Sequence, residues 1–401
     1  MSAGVRSPRA SIRRRRDTSF ERATISMKTQ NTLITGGAGF IGSRLAVALV
    51  ARGHQVTVLD NFSPQIHGEN PGRGVLPDPV RVLKGDVRSR DDLAAALRGQ
   101  TTVIHLAAET GTGQSMYEIA RYSEVNVGGT AELLDLLTNT PHSVERIAVA
   151  SSRAIYGEGR HRCAEHGVVY PLARTEADMA AGDFAAKCPV CSEATECLPT
   201  DEGSRIHPTS VYGITKQVQE QLVLTVGQSL GLHSIALRYQ NVYGPGQSLK
   251  NPYTGILSIF STQLRNGGGL TVFEDGRESR DFVYVDDVVE ATVRALESPA
   301  ASGLAINVGS GVRTDVSTVA HTIKRLLDAP GAIEVTGNFR LGDIRDNYAD
   351  LTLAREVLGF TPQVDFEMGI ARFVDWVRGE KPAEDRFAQS IDELKTRGLY
   401  R

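Results

Sequence analysis

The sequence predicts an α/β fold in which a doubly wound parallel sheet is followed by a smaller C-terminal α/β lobe. Short β-branched segments alternate with segments of helical apolar spacing from residue 31 onward, which is typical of such sheets. A glycine-rich turn separates the first predicted strand from the first predicted helix, as in Rossmann-type folds. The chain has 401 residues, 41% hydrophobic and 23% charged, so it is long enough to bury a large core.

The composition also limits the functional classes. No apolar run approaches the roughly 18 residues that a membrane-spanning helix needs. The formal net charge of -3 gives no general bias toward nucleic acid or a membrane surface. We therefore expect a soluble, cytoplasmic protein with neither of these as a partner. Residues 1–26 differ from the rest, since arginines standing among serine, alanine and proline predict a disordered basic tail there.

The first functional signature lies directly after the predicted strand Asn31–Thr35. Three glycines, each three residues apart, allow a tight turn, close approach of the backbone to a pyrophosphate, and close packing of helix on strand. The helix that begins at Phe40 offers free N–H groups to the phosphates. The next predicted strand, Gln55–Leu59, ends at Asp60, where a carboxylate accepts from the adenosine ribose of NAD and repels the 2′-phosphate of NADP. NAD is therefore the predicted cofactor.

The ends of the following strands extend this predicted cofactor site. The third predicted strand, Val80–Leu83, is followed by Gly85-Asp86-Val87, and the fourth, Thr102–Leu106, is followed by two alanines. Small and polar residues at strand ends suit an adenine pocket and the wall of a cofactor cleft. The residues predicted to contact NAD in this region are Gly36, Gly39, Phe40, Ile41, Gly42, Asp60, Asn61, Asp86, Val87, Leu106, Ala107 and Ala108.

A serine, a tyrosine and a lysine form the predicted catalytic set. The fifth predicted strand, Arg146–Ala150, leads to Ser152, and Tyr212 precedes Lys216 by four residues. On a helix this spacing puts both side chains on one face. The ammonium is expected to lower the pKa of the phenol and to hold the nicotinamide ribose. The tyrosine then acts as a general base, with the serine hydroxyl as a hydrogen-bond relay.

An ordered series of motifs runs through the chain: Thr35 through Gly42, Asp60, Asp86, His105-Leu106-Ala107-Ala108, Asn126, Ser152, Tyr156-Gly157, Tyr212 with Lys216, the run Arg238 to Pro245, and the run Arg280 to Asp287. Through this series, residues 27 to about 380 resemble the extended short-chain dehydrogenase/reductase family, specifically its nucleotide-sugar epimerases and dehydratases. The resemblance implies catalytic roles for Ser152, Tyr212 and Lys216, with Tyr212 and Lys216 also touching the cofactor. It implies that Asn126 and Tyr239 support the cofactor pocket, and that the protein is a homodimer.

The same resemblance implies where a nucleotide-sugar substrate binds. Asn241, Arg280 and Arg340 fall where the family binds a nucleoside diphosphate, and a guanidinium fork matches two phosphate oxygens at once. Asp343 lies where a carboxylate takes a ribose hydroxyl. The remaining predicted substrate contacts are Thr110, Ser152, Arg153 and Tyr212.

The residues after the predicted catalytic serine indicate which reaction is catalysed. Dehydratases of the family place an acid pair there to remove a sugar hydroxyl, whereas this chain has Arg153-Ala154. Epimerisation is therefore predicted, by oxidation at a sugar carbon, reorientation of the ketone and return of the hydride to the opposite face.

Two segments of the chain indicate which sugar is the substrate. The segments 109–115 and 247–255 look most like those of dTDP-L-rhamnose 4-epimerases, which make dTDP-6-deoxy-L-talose. UDP-glucose or UDP-glucuronate 4-epimerases and CDP-sugar 2-epimerases remain alternatives. A nucleotide-sugar 4-ketoreductase remains one as well, although Asp60 argues against its NADPH.

An insertion with metal-ligand spacing separates the catalytic residues. Tyr212 follows Ser152 by 60 residues, roughly twice the usual gap of the family. The insertion contains all four cysteines of the chain. Cys-x-x-His and Cys-x-x-Cys pairs predict a structural zinc knuckle, with the ligands Cys163, His166, Cys188 and Cys191. Cys197 and His161 leave the ligand set ambiguous, and unpaired thiols in a loop are the alternative.

These patterns divide the chain into four predicted parts. Residues 1–26 are the basic tail. Residues 27–249 form the NAD-binding Rossmann domain, which includes the zinc-knuckle insertion at 158–203. Residues 250–380 form the nucleotide-sugar-binding lobe, and residues 381–401 form a C-terminal extension expected to contain a helix.

Overall fold

The computed structural model describes residues 30–68, 76–251, 253 and 255–401, together with Met1. Apart from Met1, the predicted basic tail lies outside the described residues. So do Pro252 and Thr254, which belong to one of the two segments compared above with dTDP-L-rhamnose 4-epimerases.

The strands, in chain order, are β1 Asn31–Thr35, β2 Gln55–Asp60, β3 Arg81–Lys84, β4 Thr102–His105, β5 Arg146–Ser152, β6 His161–Cys163, β7 Gly167–Val169, β8 Glu196–Cys197, β9 His233–Tyr239, β10 Asn241–Tyr243, β11 Leu270–Val272, β12 Ser279–Tyr284, β13 Ala305–Val308, β14 Arg313–Asp315, β15 Ile333–Val335 and β16 Asp346–Asn347. The strands predicted from β-branched runs at the start of the chain agree with β1 to β5 to within one or two residues.

The α-helices, in chain order, are α1 Phe40–Ala51, α2 Pro64–His67, α3 Arg90–Leu97, α4 Thr112–Ser115, α5 Ile119–Tyr122, α6 Gly129–Asn139, α7 Glu176–Ala180, α8 Val211–Ser229, α9 Ile256–Arg265, α10 Val285–Glu297, α11 Val316–Leu327, α12 Thr352–Leu358, α13 Phe366–Gly379 and α14 Phe387–Thr396. A π-helical turn, Ser123–Gly128, leads into α6, and a 3₁₀ turn, Arg153–Tyr156, follows β5. Several helices begin at a polar cap: the Ser210 hydroxyl accepts from the Gly213 N–H at 3.1 Å at the start of α8.

Seven parallel strands form the main sheet, in the order β13-β9-β5-β4-β1-β2-β3. Helices cover both faces of the sheet. Consecutive residues of a strand point to opposite faces, so neighbouring residues pack against different helices. Leu33 packs in one core cluster with α3, α6 and α8, while Ile34 packs in another with α1 and α10. This arrangement confirms the predicted Rossmann-type parallel sheet.

The C-terminal part of the chain builds a smaller lobe. Strand β12 pairs in parallel with β10 and β16 and antiparallel with β14, and β11 pairs in parallel with β15. Helices α9, α11 and α13 pack on these strands through a core rich in aromatic side chains, such as Phe260 and Phe373. Strand β13 nevertheless joins the main sheet as its edge strand beside β9, so the chain returns to the large sheet between elements of the smaller lobe.

Two further units complete the described structure. The insertion between β5 and α8 contains α7 and a small antiparallel sheet of β6, β7 and β8. Helix α14 lies in the C-terminal extension, where a helix was expected, and its Ile391 and Leu394 pack in a small cluster with Tyr400. None of the described helices has the length and apolar character needed to cross a bilayer.

Candidate active site

The main cleft lies at the carboxyl ends of the parallel strands, where the strand order reverses between β1 and β4. This topological switch point is the usual ligand site of open α/β sheets. The cavity has a volume of about 660 Å³. The predicted cofactor contacts that line it are Gly36, Gly39, Phe40, Ile41, Gly42, Asp60, Asn61, Val87, Leu106, Ala107, Ala108, Tyr212, Lys216 and Tyr239.

The glycine-rich turn packs too closely for larger residues. A Cβ at Gly36, whose φ is +68°, would lie 2.8 Å from the backbone nitrogen of Ala107, and one at Gly42 would lie 2.6 Å from the Gly36 carbonyl oxygen. No side chain caps the start of α1, and its first turn carries no acidic residue. The free N–H groups there give the cleft an anion-binding end that suits a pyrophosphate.

Asp60 connects the end of β2 to this turn. Its two carboxylate oxygens accept from the backbone N–H groups of Ala38 at 3.0 Å and Phe62 at 2.9 Å. His67 of α2 lies on the other side, with its Nε2 3.5 Å from an Asp60 oxygen. The carboxylate is thereby held at the wall of the cleft, in the position expected of the acid that binds the adenosine ribose.

Two predicted cofactor contacts lie away from the cleft wall. Asp86 points to Arg88, which donates to it at 2.9 Å and holds the pKa of the Asp86 carboxyl down at about 2. Asn126 is fully buried, and its amide exchanges hydrogen bonds with the backbone of Glu109 at 2.7 and 3.1 Å. Direct contact of Asp86 with the cofactor therefore stays a prediction, whereas Asn126 supports the segment after β4 that forms the wall.

The structure brings the three predicted catalytic residues together. Ser152 ends β5, while Tyr212 and Lys216 lie on the first turns of α8, and all three line the cleft. The Lys216 Nζ lies 5.9 Å from the centre of the Tyr212 ring and donates to the Ala150 carbonyl at 2.9 Å. The helical spacing predicted from the sequence therefore places the phenol and the amine on the same side of α8.

The pKa values of this group differ from the expectation. Burial raises the pKa of the Tyr212 phenol, while a hydrogen bond with Ser152 and the charge of Arg153 lower it. Burial also depresses the pKa of Lys216, to about 7. The prediction that the Lys216 ammonium makes the Tyr212 phenol acidic is wrong, because burial outweighs the hydrogen bond with Ser152 and the charge of Arg153 and leaves the phenol pKa above its usual value.

A buried polar network holds α8 against the sheet. Glu220 of α8 forms a two-point ion pair with Arg238 of β9, at 2.5 and 3.0 Å, and accepts from the Ser151 hydroxyl at 2.6 Å. Arg238 also donates to the Tyr156 hydroxyl at 2.8 Å. Glu220 lies about one helical turn beyond Lys216, so the network fixes how the catalytic face of α8 meets the end of β5.

A second cavity, of about 320 Å³, opens beside the first and extends toward the smaller lobe. Ser152 and Tyr212 line both cavities. All of the predicted substrate contacts line this second cavity: Thr110, Ser152, Arg153, Tyr212, Asn241, Arg280, Arg340 and Asp343.

Positive charge exceeds negative charge at the predicted diphosphate site. The two carboxylate oxygens of Asp343 accept from Arg280 at 2.8 Å and from Arg340 at 2.9 Å. Arg153 donates to the Asn241 amide oxygen at 2.9 Å. Burial acts to raise the pKa of Asp343, but the surrounding arginines outweigh it, and the pKa lies well below its usual range. The carboxylate stays ionised, and guanidinium charge is left over for an anionic ligand.

A sequence pattern common to the "NAD dependent epimerase/dehydratase family" matches residues 32–309, which is more than half of the chain. The chain belongs to this family. It is 40% identical over 353 residues to the dTDP-L-rhamnose 4-epimerase of Burkholderia thailandensis, and the match covers 87% of this chain and 95% of that relative.

Solved structures place the chain among NAD-dependent nucleotide-sugar epimerases. It superposes with a TM-score of 0.70 on the UDP-glucose 4-epimerase of Thermotoga maritima with UDP-glucose, at 29% identity, covering 87% of this chain and 99% of that one. The UDP-glucose 4-epimerase of Thermus thermophilus in complex with NAD gives a TM-score of 0.69 at 28% identity, covering 88% and 100%. The protein is accordingly an enzyme of this epimerase group.

Some residues that line the cavities of the epimerase were not predicted from the sequence, among them three that are aromatic or acidic. Phe273 and Phe387 stack with their ring centres 6.1 Å apart, and both line the second cavity together with Glu278. Phe387 comes from α14, far along the chain from Phe273. These positions share no regular spacing in the sequence. The sequence therefore shows that each residue is apolar or acidic, but it does not predict that they line one cavity.

The insertion of the epimerase brings the four predicted metal ligands together. One side-chain ligand atom from each of Cys163, His166, Cys188 and Cys191 lies within 4.8 Å of the others. These four residues line neither cavity. They form a group that is able to hold a metal ion outside the cleft.

Proposed function

We propose that the protein is an NAD-dependent 4-epimerase that interconverts dTDP-L-rhamnose and dTDP-6-deoxy-L-talose. The observation that supports this proposal most directly is the position of Tyr212 and Ser152, which line both the cleft and the second cavity. One phenol oxygen can therefore serve a cofactor on one side and a sugar hydroxyl on the other. The glycine turn, the uncapped start of α1 and the carboxylate of Asp60 together fit an NAD molecule.

In the proposed reaction, Tyr212 takes the proton of the sugar 4-hydroxyl as the hydride leaves C4. After the 4-keto sugar has reoriented, Tyr212 returns the proton to the same oxygen while the hydride adds to the opposite face of C4. Ser152 positions the phenol oxygen of Tyr212 through the hydrogen bond between the two side chains. Lys216 donates hydrogen bonds where the nicotinamide ribose is expected. Bound NAD supplies the hydride acceptor for the first half of the reaction and the hydride donor for the second.

Arg153 favours epimerisation over dehydration. Elimination of a sugar hydroxyl needs a general acid, and the residue after Ser152 is a guanidinium that hydrogen bonds to Asn241. Burial and the nearby Arg280 lower the pKa of Arg153 to about 10, which still leaves it charged near neutral pH. It can attract an anionic oxygen but cannot deliver a proton to a leaving group.

The similarity to the Burkholderia thailandensis relative supports the proposed sugar and base. The solved relatives named above act on or bind UDP-sugars, so UDP-glucose is the competing substrate. A nucleotide-sugar 4-ketoreductase using NADPH is disfavoured, because the Asp60 carboxylate would repel the 2′-phosphate. We also propose a homodimer, which light scattering after gel filtration tests.

The experiment is incubation of the purified protein with dTDP-L-rhamnose, followed by NMR of the sugar products. The expected product is dTDP-6-deoxy-L-talose, with no net consumption of NADH or NADPH. Parallel incubations with UDP-glucose, UDP-glucuronate and CDP-hexoses separate the proposed substrate from its competitors. Turnover of UDP-glucose alone would contradict the base and sugar, and failure of every substrate with NAD bound would contradict the reaction.

A further inference from the structure

The Cys/His group in the insertion has the dimensions of a tetrahedral metal site. The Cys163 Sγ lies 3.6 Å from the Cys191 Sγ and 3.5 Å from the His166 Nδ1, and the Cys188 Sγ lies 3.7 Å from that nitrogen. Zinc bonds of about 2.3 Å to sulfur and about 2.05 Å to nitrogen give tetrahedral edges of about 3.8 Å between sulfurs and about 3.5 Å between sulfur and nitrogen. These three distances agree with the tetrahedral edges to within about 0.2 Å, and all four ligand atoms lie within 4.8 Å of one another.

Two short turns present the ligands. Cys163 is the last residue of β6, and His166 lies in the tight turn to β7. In the second turn, Ser192 donates to the Cys188 carbonyl at 2.9 Å, and Val190 donates its N–H to the Cys188 Sγ at 3.5 Å. An N–H group directed at sulfur stabilises a thiolate, which is the form that binds a metal.

The ligand set that was ambiguous in the sequence is distinct in the fold. His161 is buried, and its two ring nitrogens lie 3.1 Å from the Glu158 carbonyl oxygen and 2.9 Å from the Thr195 hydroxyl. Cys197 is buried away from the group, with its thiol directed at the Leu198 carbonyl. All four cysteines are free thiols, and the 3.6 Å between Cys163 and Cys191 exceeds the roughly 2.05 Å of a disulfide.

Apolar packing alone does not account for the order of this unit. The buried cluster beneath β6 and β7 consists of Cys163, Val169 and Cys188, with Cys191 packed beside it. Three of its four members are cysteines. A unit with so small a core requires a covalent or metal cross-link, and metal binding to such a unit supplies folding free energy.

We propose that Cys163, His166, Cys188 and Cys191 bind one structural zinc ion that cross-links the insertion. Three thiolates and one imidazole close the coordination sphere and leave no position for a water molecule. Soft thiolate ligands in tetrahedral geometry favour zinc over Mg²⁺, Ca²⁺ and Mn²⁺, which prefer oxygen ligands. The ion therefore takes no part in the reaction proposed for the cleft.

The cross-linked insertion supports the wall of the second cavity. Arg174, which follows β7, forms a two-point ion pair with Glu274 of the smaller lobe at 2.6 and 2.8 Å, and donates to the Asp343 carbonyl at 3.1 Å. Met179 and Phe184 of the insertion pack against Phe339. The segment that carries Arg340 and Asp343 is thus held from behind by the insertion, and loss of zinc is expected to loosen that support.

Metal analysis of the full-length protein, produced in medium supplemented with zinc and iron, tests the proposal. We expect about one zinc per chain in the wild type and in Cys197→Ser, which removes a buried thiol outside the group, and almost none in Cys188→Ser/Cys191→Ser. Chelation should also open residues 158–203 to limited proteolysis while NAD stays bound. No metal in the wild type, iron in place of zinc, or equal zinc loss in Cys197→Ser would overturn the proposal.

A second measurement covers the case in which the double variant does not fold. Titration of native wild-type protein with a thiol-specific reagent should release one zinc as three thiols react. Release of zinc without consumption of thiols would overturn the assignment. Both readouts are independent of turnover, so they stand apart from the test of the proposed epimerase reaction.

Discussion

At the scale of single residues, the Tyr212 hydroxyl is the atom on which the proposed chemistry depends. Tyr212→Phe removes the proton acceptor but keeps the ring, so turnover should fall by at least about 10³-fold. NAD affinity should change little, because the glycine turn and Asp60 are untouched. The measurements are the rate of sugar conversion and an NAD titration. Tyr170→Phe, which removes a phenol hydroxyl outside both cavities, is the matched control.

Retained turnover in Tyr212→Phe would show that another group is the base. A parallel loss in Tyr170→Phe would show that the preparation, rather than the phenol, is at fault.

We expect Glu278 to make substrate binding depend on pH. The side chain is buried beside the second cavity, and its Oε2 has no hydrogen-bond partner among the described residues. Burial raises the pKa of Glu278 to about 7, and the nearby Glu274 and Asp343 act in the same direction while Arg280 opposes them. As pH rises through 7, the carboxyl ionises and adds negative charge next to the proposed diphosphate site.

The KM for the nucleotide sugar should therefore rise about three- to tenfold between roughly pH 6 and pH 8. In Glu278→Gln, which keeps the shape without the charge, this rise should disappear. Profiles of KM against pH in the wild type and the variant provide the check. The same rise in both proteins would mean that a different group titrates.

At the scale of elements, helix α14 fastens two loops beside the second cavity. Glu393 accepts from the Tyr117 hydroxyl at 2.8 Å and from the Tyr253 hydroxyl at 3.0 Å. Tyr117 follows the segment 109–115, and Tyr253 lines the cavity itself. The helix thereby holds together the two parts of the chain that were singled out from the sequence as bearing on the sugar.

Glu393→Ala removes two charge-assisted hydrogen bonds that hold the loops beside the cavity. The KM for the nucleotide sugar should rise about five- to tenfold, which corresponds to roughly 1 to 1.4 kcal/mol of substrate binding. NAD binding should be unaffected. Asp392→Ala, an exposed acid one residue away on the same helix, should leave KM unchanged. Steady-state kinetics of both variants measure the KM values. Equal KM values in the two variants would show that Glu393 of α14 does not contribute to substrate binding.

At the scale of the whole molecule, the ion pair between Glu220 and Arg238 connects α8 to strand β9 of the main sheet. Both side chains are at most 5% exposed. Arg238→Met leaves the Glu220 carboxylate buried without its partner and should lower the free energy of unfolding by about 3 to 5 kcal/mol. The double variant Arg238→Met/Glu220→Leu should recover at least about 1 kcal/mol of this loss. Urea unfolding curves measure both, and additive losses would contradict a charge-based cause.

Local patterns predicted the parts of the molecule that depend on local geometry. A helical period of 3.6 residues is enough to place Tyr212 and Lys216 on one face, and the glycine spacing of the first turn is set by the approach of the backbone to Ala107. The alternation of strands and helices was likewise enough to predict the parallel sheet. The Cys-x-x-His and Cys-x-x-Cys spacings predicted which four side chains would meet.

The tertiary structure alone decided features that depend on burial and on pairing between distant segments. Burial raises the pKa of the Tyr212 phenol against the hydrogen bond with Ser152 and the charge of Arg153, and it lowers the pKa of Lys216 to about 7. Phe387 reaches the substrate cavity only because the C-terminal extension folds back over the smaller lobe. Desolvation and long-range contacts arise when elements pack, and neither produces a periodic pattern in the sequence from which it could be predicted. The sequence by itself thus determined the class of fold and predicted which groups meet in the cleft, and packing decided their pKa values and the shape of the cavities beside them.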